Sequence, residues 1–273
     1  MQQIDSAEQI LKIIYTPNEF GGRLKYFRAC GATSQYWDGL WDKKSERLPV
    51  RSSDAEHARL PWFLRRLIPK HVQRGGSVLE AGCGMGGFTL AVAALGYQAI
   101  GIDFAPRIIE RLQLHHPRVD FRIDNATHLQ FASDYFDAVY SPGVCEHFEE
   151  GPDSVLKEAV RVLKPGGHLF VSAPCFNALR RYMVSLGRFK GDAVGEFYQY
   201  AFTQREISAR LHNLGVQLLH VRLYGTMKTL NDHAGFKSGF LRGRTANIAS
   251  ASLDLLPITN RWGHCGLWIG EKL

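Results

Sequence analysis

The chain has 273 residues, 45% hydrophobic and 22% charged, an ordinary soluble composition with room for one large α/β domain with additions or two small domains. Its net charge of +7, from 33 basic and 26 acidic residues, favours anionic partners such as phosphorylated substrates, lipid headgroups or nucleic acid, and also fits a moderately basic enzyme surface. No apolar run reaches the roughly 18 residues of a membrane span, and no block of like charges argues for dedicated nucleic-acid binding.

Residues 1–75 read as a helical N-terminal cap. Asp5 or Ser6 starts a helix over AEQILKIIY that Thr16-Pro17 ends, and an aromatic stretch, YFRACGATSQYWDGLWD, follows. Ser53 or Asp54 starts a second helical pattern over AEHARLPWFLRRLI. The opening MQQIDSAEQILKII lacks the basic start and apolar core of a signal peptide, and five scattered cysteines without C-x-x-C pairs read as reduced thiols, so the expected location is cytoplasmic. From Ser77 the period changes. SVLEAG, QAIGID, VDFRID, FDAVYSPG and HLFVSAP read as strands that alternate with helices over FTLAVAALG, APRIIERLQLHH and SVLKEAVRVL, which implies right-handed βαβ units and a parallel sheet. Gly96 stops the first of these helices, Pro106 opens the second and Asp153 caps the third. Thr203 and Glu206 form a capping box before QREISARLHNLG, and VQLLHVRLYG and HCGLWIGEK complete the set as a sixth and a seventh strand. Residues 76–273 are expected to be one domain, with insertions at 175–202 and 226–262 on either side of the sixth strand.

Gly82, Gly84 and Gly87 in VLEAGCGMGGFTL have the G-x-G-x-x-G spacing of a nucleotide loop between a strand and a helix. That signal is weak by itself, and the neighbouring acids decide more. Glu80, Asp103 and Asp124 lie at or near the ends of the first three strands, whose carboxyl ends face one crevice. NAD requires Asp103 alone, for its ribose, and two further carboxylates beside a pyrophosphate are repulsive. S-adenosylmethionine (SAM) has an ammonium and a sulfonium and no phosphate. Glu80 suits the ammonium, Asp103 the ribose hydroxyls, and Asp124 with the backbone of Asn125 and Ala126 the adenine. The plainer alternatives are that Glu80 caps the backbone after it and that Asp124 caps a turn.

VLEAGCGMGGFTL, IGIDFAP, RIDNATHLQFASDYFDAVYSPGVCEHF and RVLKPGGHLFVSAP resemble successive motifs of class I SAM-dependent methyltransferases, in particular the group that includes the ubiquinone and menaquinone biosynthesis methyltransferases. The resemblance covers about residues 76–173 and the last two strands. It implies an α/β fold with a Rossmann-like seven-stranded sheet in the order 3-2-1-4-5-7-6, strand 7 antiparallel. It implies cofactor contacts from Glu80, Gly82, Cys83, Gly84, Asp103, Phe104, Asp124, Asn125, Ala126 and Ser141, with Phe104 near the adenine and Ser141 by the methionyl group.

Methyl transfer from a sulfonium needs alignment, a dry pocket and, for an acceptor of high pKa, a base. The Glu146-His147 pair after the fourth strand borders the methyl group in this fold. His147 is read as a candidate base, as a structural tie, or as a metal ligand. Some relatives are thought to hold a divalent metal with this pair and an acid three positions earlier; Gly143 stands at that position here, which puts a metal in doubt. Tyr200, in the aromatic run EFYQYAF, is a second candidate catalytic group; that run closes the cofactor or acceptor pocket, or is a packed connection. Leu179, Tyr182, Met183 and Leu186 recur at helical spacing beside Arg180, Arg181, Arg188 and Lys190, which fits a lid helix, or a surface for an anionic lipid or acidic substrate. Tyr36, Trp37 and Trp41 are expected to cover the cofactor or to pack the N-terminal region.

The expected function is transfer of the SAM methyl group to an oxygen or nitrogen of a small molecule, with an anionic or lipid-like acceptor among the options. The alternatives are an RNA or protein methyltransferase, a non-catalytic SAM-binding protein and a NAD oxidoreductase. SPGV at the end of the fourth strand is not the N/D-P-P-Y/F of enzymes that methylate exocyclic amines.

Overall fold

The computed structural model of the chain describes residues 10–47, 62–233 and 261–273. The main sheet has seven strands: β3 (Ser77–Ala81), β4 (Gln98–Asp103), β5 (Asp120–Ile123), β6 (Phe136–Pro142), β7 (Leu163–Pro174), β9 (Val216–Tyr224) and β10 (Cys265–Lys272). Their spatial order is β5-β4-β3-β6-β7-β10-β9, with β10 antiparallel to both neighbours. Numbered by appearance within the sheet this is 3-2-1-4-5-7-6, the expected order.

Strand alternation explains the core. Leu79, Ala81 and Val139 point to one face, where helices α5 (Asp153–Val162) and α7 (Gln204–Asn213) supply Leu156, Ala159, Ile207 and Leu211. Val78, Ala138 and Phe170 point to the other, against Ile68 and Val72 near the end of α2 (Trp62–His71) and Phe88 and Val92 of α3 (Gly87–Ala94). Both faces are covered, so the strands are apolar on both sides, and each buried Leu or Phe contributes roughly 1.5–3 kcal/mol. Helix α4 (Pro106–His115) opens on its proline as expected. Asp153 is the first residue of α5 rather than its cap, and its carboxylate pairs with Arg210. The capping box at α7 forms by half: Thr203 Oγ1 accepts from Glu206 N at 3.1 Å, while the Glu206 carboxylate accepts from Arg23 at 2.6 Å.

The N-terminal region departs from the helical reading. Ile10–Thr16 is a strand, β1, antiparallel to β2 (Arg23–Arg28), and β8 (Glu196–Ala201) joins the free edge of β2 to complete a three-stranded sheet. Four of the seven β1 residues are β-branched, and Ile13 pairs opposite Tyr26. The aromatic run before α7 is therefore a strand whose partner lies 177 positions earlier where Leu24 stands opposite Ala201. Helix α1 (Ser34–Arg47) follows β2. Asp5, Ser6, Ser53 and Asp54, named as helix starts, lie outside the described residues. Helix α6 (Ala178–Ser185) is present where a lid was expected, but its fully buried side chain is Arg180, while Tyr182 and Leu186 are 59% and 62% exposed. The Arg180 guanidinium donates to Cys175 O and meets His264 Nδ1, and these partners hold the helix by its polar side. Helix α8 (Thr226–His233) begins the stretch expected to be irregular. Among the described residues no helix is long and apolar enough to cross a membrane.

Candidate functional site

A cavity of about 550 Å³ opens at the carboxyl ends of β3, β4, β5 and β6, where the order of the sheet reverses. This size lies within the usual range for small-ligand sites, about 300–1,000 Å³.

The loop after β3 forms its floor. Gly82, Gly84 and Gly86 have φ of +85, +48 and +72 degrees. A Cβ at Gly82 would meet Val144 Cγ2 at 2.3 Å, and one at Gly84 would meet the Trp41 ring at 2.8 Å. Gly87, the third glycine of the spacing, opens α3 with space around it, so Gly86 rather than Gly87 carries the third conformational demand. Three of the loop N–H groups are engaged by β4 and its terminal acid. Gly82 N and Cys83 N both donate to Ile102 O at 2.8 Å, and Gly84 N donates to Asp103 Oδ2 at 2.9 Å. Glu80 Oε2 accepts from Thr89 N at 3.0 Å and Thr89 Oγ1 at 2.6 Å, which occupies the start of α3 with a carboxyl group of the chain itself. A pyrophosphate is favoured by free N–H groups at a helix start, and here Thr89 N is taken by a carboxyl group of the chain itself. Burial and the nearby Asp103 push the Glu80 carboxyl up to about 8, against the opposing pull of the Thr89 bonds.

Asp103 at the end of β4 accepts from Gly84 N and from Ala105 N, the latter at 3.0 Å, and is 6% exposed. Burial raises its carboxyl above the ordinary value, and the backbone bonds oppose that rise. Phe104 beside it is exposed at the cavity wall. Asp124 Oδ1 accepts from Asn125 N and Oδ2 from Gln130 N, the turn-capping alternative, while Asp124, Asn125 and Ala126 line the cavity. Glu80, Gly82, Cys83 and Gly84 line it as well. Ser141 does not: its side chain is buried in β6, and the wall begins one residue later at Pro142.

The opposite wall comes from α1 and the turn after β6. Trp37 and Trp41 stack with ring centroids 5.7 Å apart and line the cavity, whereas Tyr36 stands behind them against Tyr198. Asp38 anchors α1 by accepting from Arg107 N at 3.0 Å, which caps α4 from a distant segment. His147 lines the cavity, edge-on to Trp37 and to Tyr198. Its Nδ1 lies 2.8 Å from Tyr198 O; a carbonyl only accepts, so Nδ1 carries the proton and Nε2 the lone pair. Burial holds this imidazole neutral, with its pKa pulled down to about 4. Tyr200 is not a cavity residue. Its hydroxyl donates to Glu149 O at 2.7 Å and its ring lies under Arg23, because the pairing of β8 turns this candidate side chain into the core.

Five wall residues were not singled out in the sequence: Ala32, Ile102, Pro142, Val144 and Phe148. Glu146 was legible only as half of a pair with His147. No residue of 175–202 or 226–233 lines the cavity. Among the described residues, no group of three or more His, Cys, Asp or Glu side chains is placed to hold a metal ion.

Residues 79–171 match the family model described as a methyltransferase domain. A ubiquinone biosynthesis O-methyltransferase of Xanthomonas axonopodis pv. citri is 31% identical over 191 residues, 65% of this chain and 75% of the relative. Among solved structures, a SAM-dependent methyltransferase of Methanosarcina mazei has a TM-score of 0.52 at 20% identity, covering 76% of this chain and 97% of that one. A structure titled as the [4+2]-cyclase SpnF has a TM-score of 0.54 at 21% identity, covering 89% and 97%. These two structures share the fold.

Proposed function

We propose that this chain, which belongs to the class I S-adenosylmethionine-dependent methyltransferases, moves the donor's methyl group to a hydroxyl oxygen of a small, uncharged, largely apolar molecule. SAM is its cofactor, and S-adenosylhomocysteine (SAH) is the product left behind. The observation that carries the acceptor reading is the cavity wall: among the described residues it contains acids, aromatics and one neutral imidazole, and no Lys or Arg. An anionic acceptor would find no counter-charge there and several carboxyl groups. Oxygen as the methylated atom is supported by the relatives named as O-methyltransferases.

The fit to SAM rests on this chain's own groups. Asp103 has lone pairs beyond the two backbone bonds it accepts, and these suit the two ribose hydroxyls. Phe104 offers an exposed ring for the adenine, and the Asn125-Ala126 backbone with Asp124 suits its edge. Glu80 and the loop at Gly82–Gly84 border the methionyl end, where an acid tolerates an ammonium and would repel a phosphate. Trp37 and Trp41 exclude water from the far side. SAM supplies an electrophilic methyl group on a sulfonium; the protein supplies alignment and dryness.

The test is SAH formation from SAM with three acceptor panels: uncharged phenols and alcohols, primary and secondary amines, and carboxylated phenols. Turnover confined to the first panel supports the reading. Turnover confined to amines or carboxylates overturns the acceptor assignment, and methylation of added RNA or protein replaces the small-molecule reading. Protection by NAD but not SAM in a thermal melt would remove the cofactor assignment.

A further inference from the structure

Buried carboxyl groups in this protein are matched to donors. Glu206 has Arg23 at 2.6 Å and Arg210 at 3.2 Å, and Glu80 has both donors of Thr89. Glu146 breaks the pattern. It lies in a single 3₁₀ turn, Cys145–His147, directly after the strand that ends at the cavity, and it lines that cavity. The residue is 3% exposed, yet its Oε2 has no hydrogen-bond partner among the described residues. Among the described residues no Lys or Arg pairs with it, its own backbone N–H is a donor to the carboxyl, and His147 Nε2 stands 4.0 Å from Oε1, too far for a hydrogen bond. An unsatisfied buried carboxyl costs several kcal/mol if it serves the fold alone. Gly143, φ +67 degrees, turns the chain so that a Cβ there would sit 3.4 Å from Glu146 Oε1. The small residue leaves space beside that oxygen and supplies no third ligand.

His147 is differently placed. Its Nδ1–H is committed to Tyr198 O, and its ring is wedged between Trp37 and Tyr198. It ties the turn to β8 and thereby sets where Glu146 stands.

We propose that the Glu146 carboxylate faces the methyl being transferred and takes the acceptor's proton as the new bond forms, with His147 as a positioning residue. This rests on the methyltransferase reading above. In the step, the acceptor O–H bond breaks and its proton goes to a Glu146 oxygen. The acceptor oxygen bonds the methyl carbon, and the electron pair of the broken C–S bond stays on sulfur, giving SAH. The proton then leaves to solvent. The chemistry of the two groups favours this division of roles. A base works best when its pKa is near the operating pH and near that of the group it deprotonates. Burial lifts Glu146 to about 8 and lowers His147 to about 4, so only the carboxyl is matched to a hydroxyl near neutral pH.

Sinefungin, the SAM analogue with an amine in place of the methyl-bearing sulfur centre, places an ammonium at the transferring position and needs no acceptor. Calorimetry of the full chain is expected to show sinefungin binding at least about tenfold tighter than SAH, and Glu146→Gln to remove that preference while SAH affinity stays within about threefold. Glu146→Asp, which keeps the charge one methylene further back, is expected to retain SAH binding with an intermediate preference. The proposal is overturned if sinefungin has no advantage, if the advantage survives Glu146→Gln, if it is lost in His147→Gln instead, or if both Glu146 variants lose SAH binding. Wild-type protein that binds neither SAH nor sinefungin is a separate result, and it defeats the methyltransferase reading itself.

Discussion

On the donor wall of the cavity, Glu80 and Asp103 commit their oxygens to groups of that same wall, Thr89 for the first and Gly84 with Ala105 for the second. On the facing wall, Glu146 Oε2 and Trp41 Nε1 are buried with no partner among the described residues. The donor wall is finished by its own hydrogen bonds; the facing wall holds one buried acceptor and one buried donor without a partner among the described residues. The difference teaches that a recognition loop can be finished by its own backbone, whereas polar groups on the substrate side stay unmatched until a ligand arrives.

Four measurements would break or sharpen that comparison. Asp103→Ala has the largest expected effect, because it removes the ribose acceptor and also orphans Gly84 N and Ala105 N. SAM affinity in calorimetry should fall at least about 100-fold, close to 3 kcal/mol, and normal affinity would sink the assignment. Gly82→Ala comes next. A side chain there must take φ +85 degrees and displace Val144, so stability should drop by roughly 2–4 kcal/mol in denaturant unfolding. A loss below about 0.5 kcal/mol would mean that the loop is not rigid.

The third concerns pH. Glu80 and Glu146 have folded values of about 8, against an ordinary 4.5. Groups raised in this way contribute stability that is full below about pH 4.5 and is lost as pH rises through 8. His147, lowered from 6.5 to about 4, contributes stability above pH 6.5 that is lost as pH falls through 4. Melting temperature should therefore decline between about pH 6.5 and 8 and level off above, and Glu146→Gln should reduce the decline, by an amount on the order of 2 kcal/mol at pH 8. An identical decline in the variant would show that Glu146 has a partner. The smallest effect belongs to Tyr200→Phe, which removes only the bond to Glu149 O. It should cost about 1 kcal/mol of stability and leave turnover within about twofold; a hundredfold loss of turnover would restore Tyr200 to the site.

The parts legible in the sequence are those governed by local rules. Gly96 ends α3 and Pro106 opens α4 because helix termini obey the residues around them. Asp103 and Asp124 line the cavity because the ends of parallel strands converge there. The misreadings share another cause. Ile10–Thr16 satisfies a helical apolar pattern as well as a strand, and the choice fell to β2 and to a third strand far along the chain. Tyr200 looked available as an aromatic in a connection; pairing of β8 with β2 placed it in the core. The stripe on α6 suggested an apolar buried face, but the carbonyl of Cys175 and the imidazole of His264 drew in Arg180 instead.

By itself, then, the sequence determined the alternating strands and helices of a parallel core, the glycine loop and the acids at the strand ends, because strand and helix periodicity, turn chemistry and right-handed connection act over a few residues to one βαβ unit, while the seven-strand order with its antiparallel last strand was implied by the resemblance to SAM-dependent methyltransferases. Only the tertiary structure decided that Glu80 fills the start of α3, that Asp38 caps α4, that β8 closes a second sheet over the turn at His147, and that Glu146 Oε2 is left without a partner among the described residues. Each of those facts is a hydrogen bond made or withheld between segments far apart in the chain, and distance along the chain carries no signal of where such bonds fall.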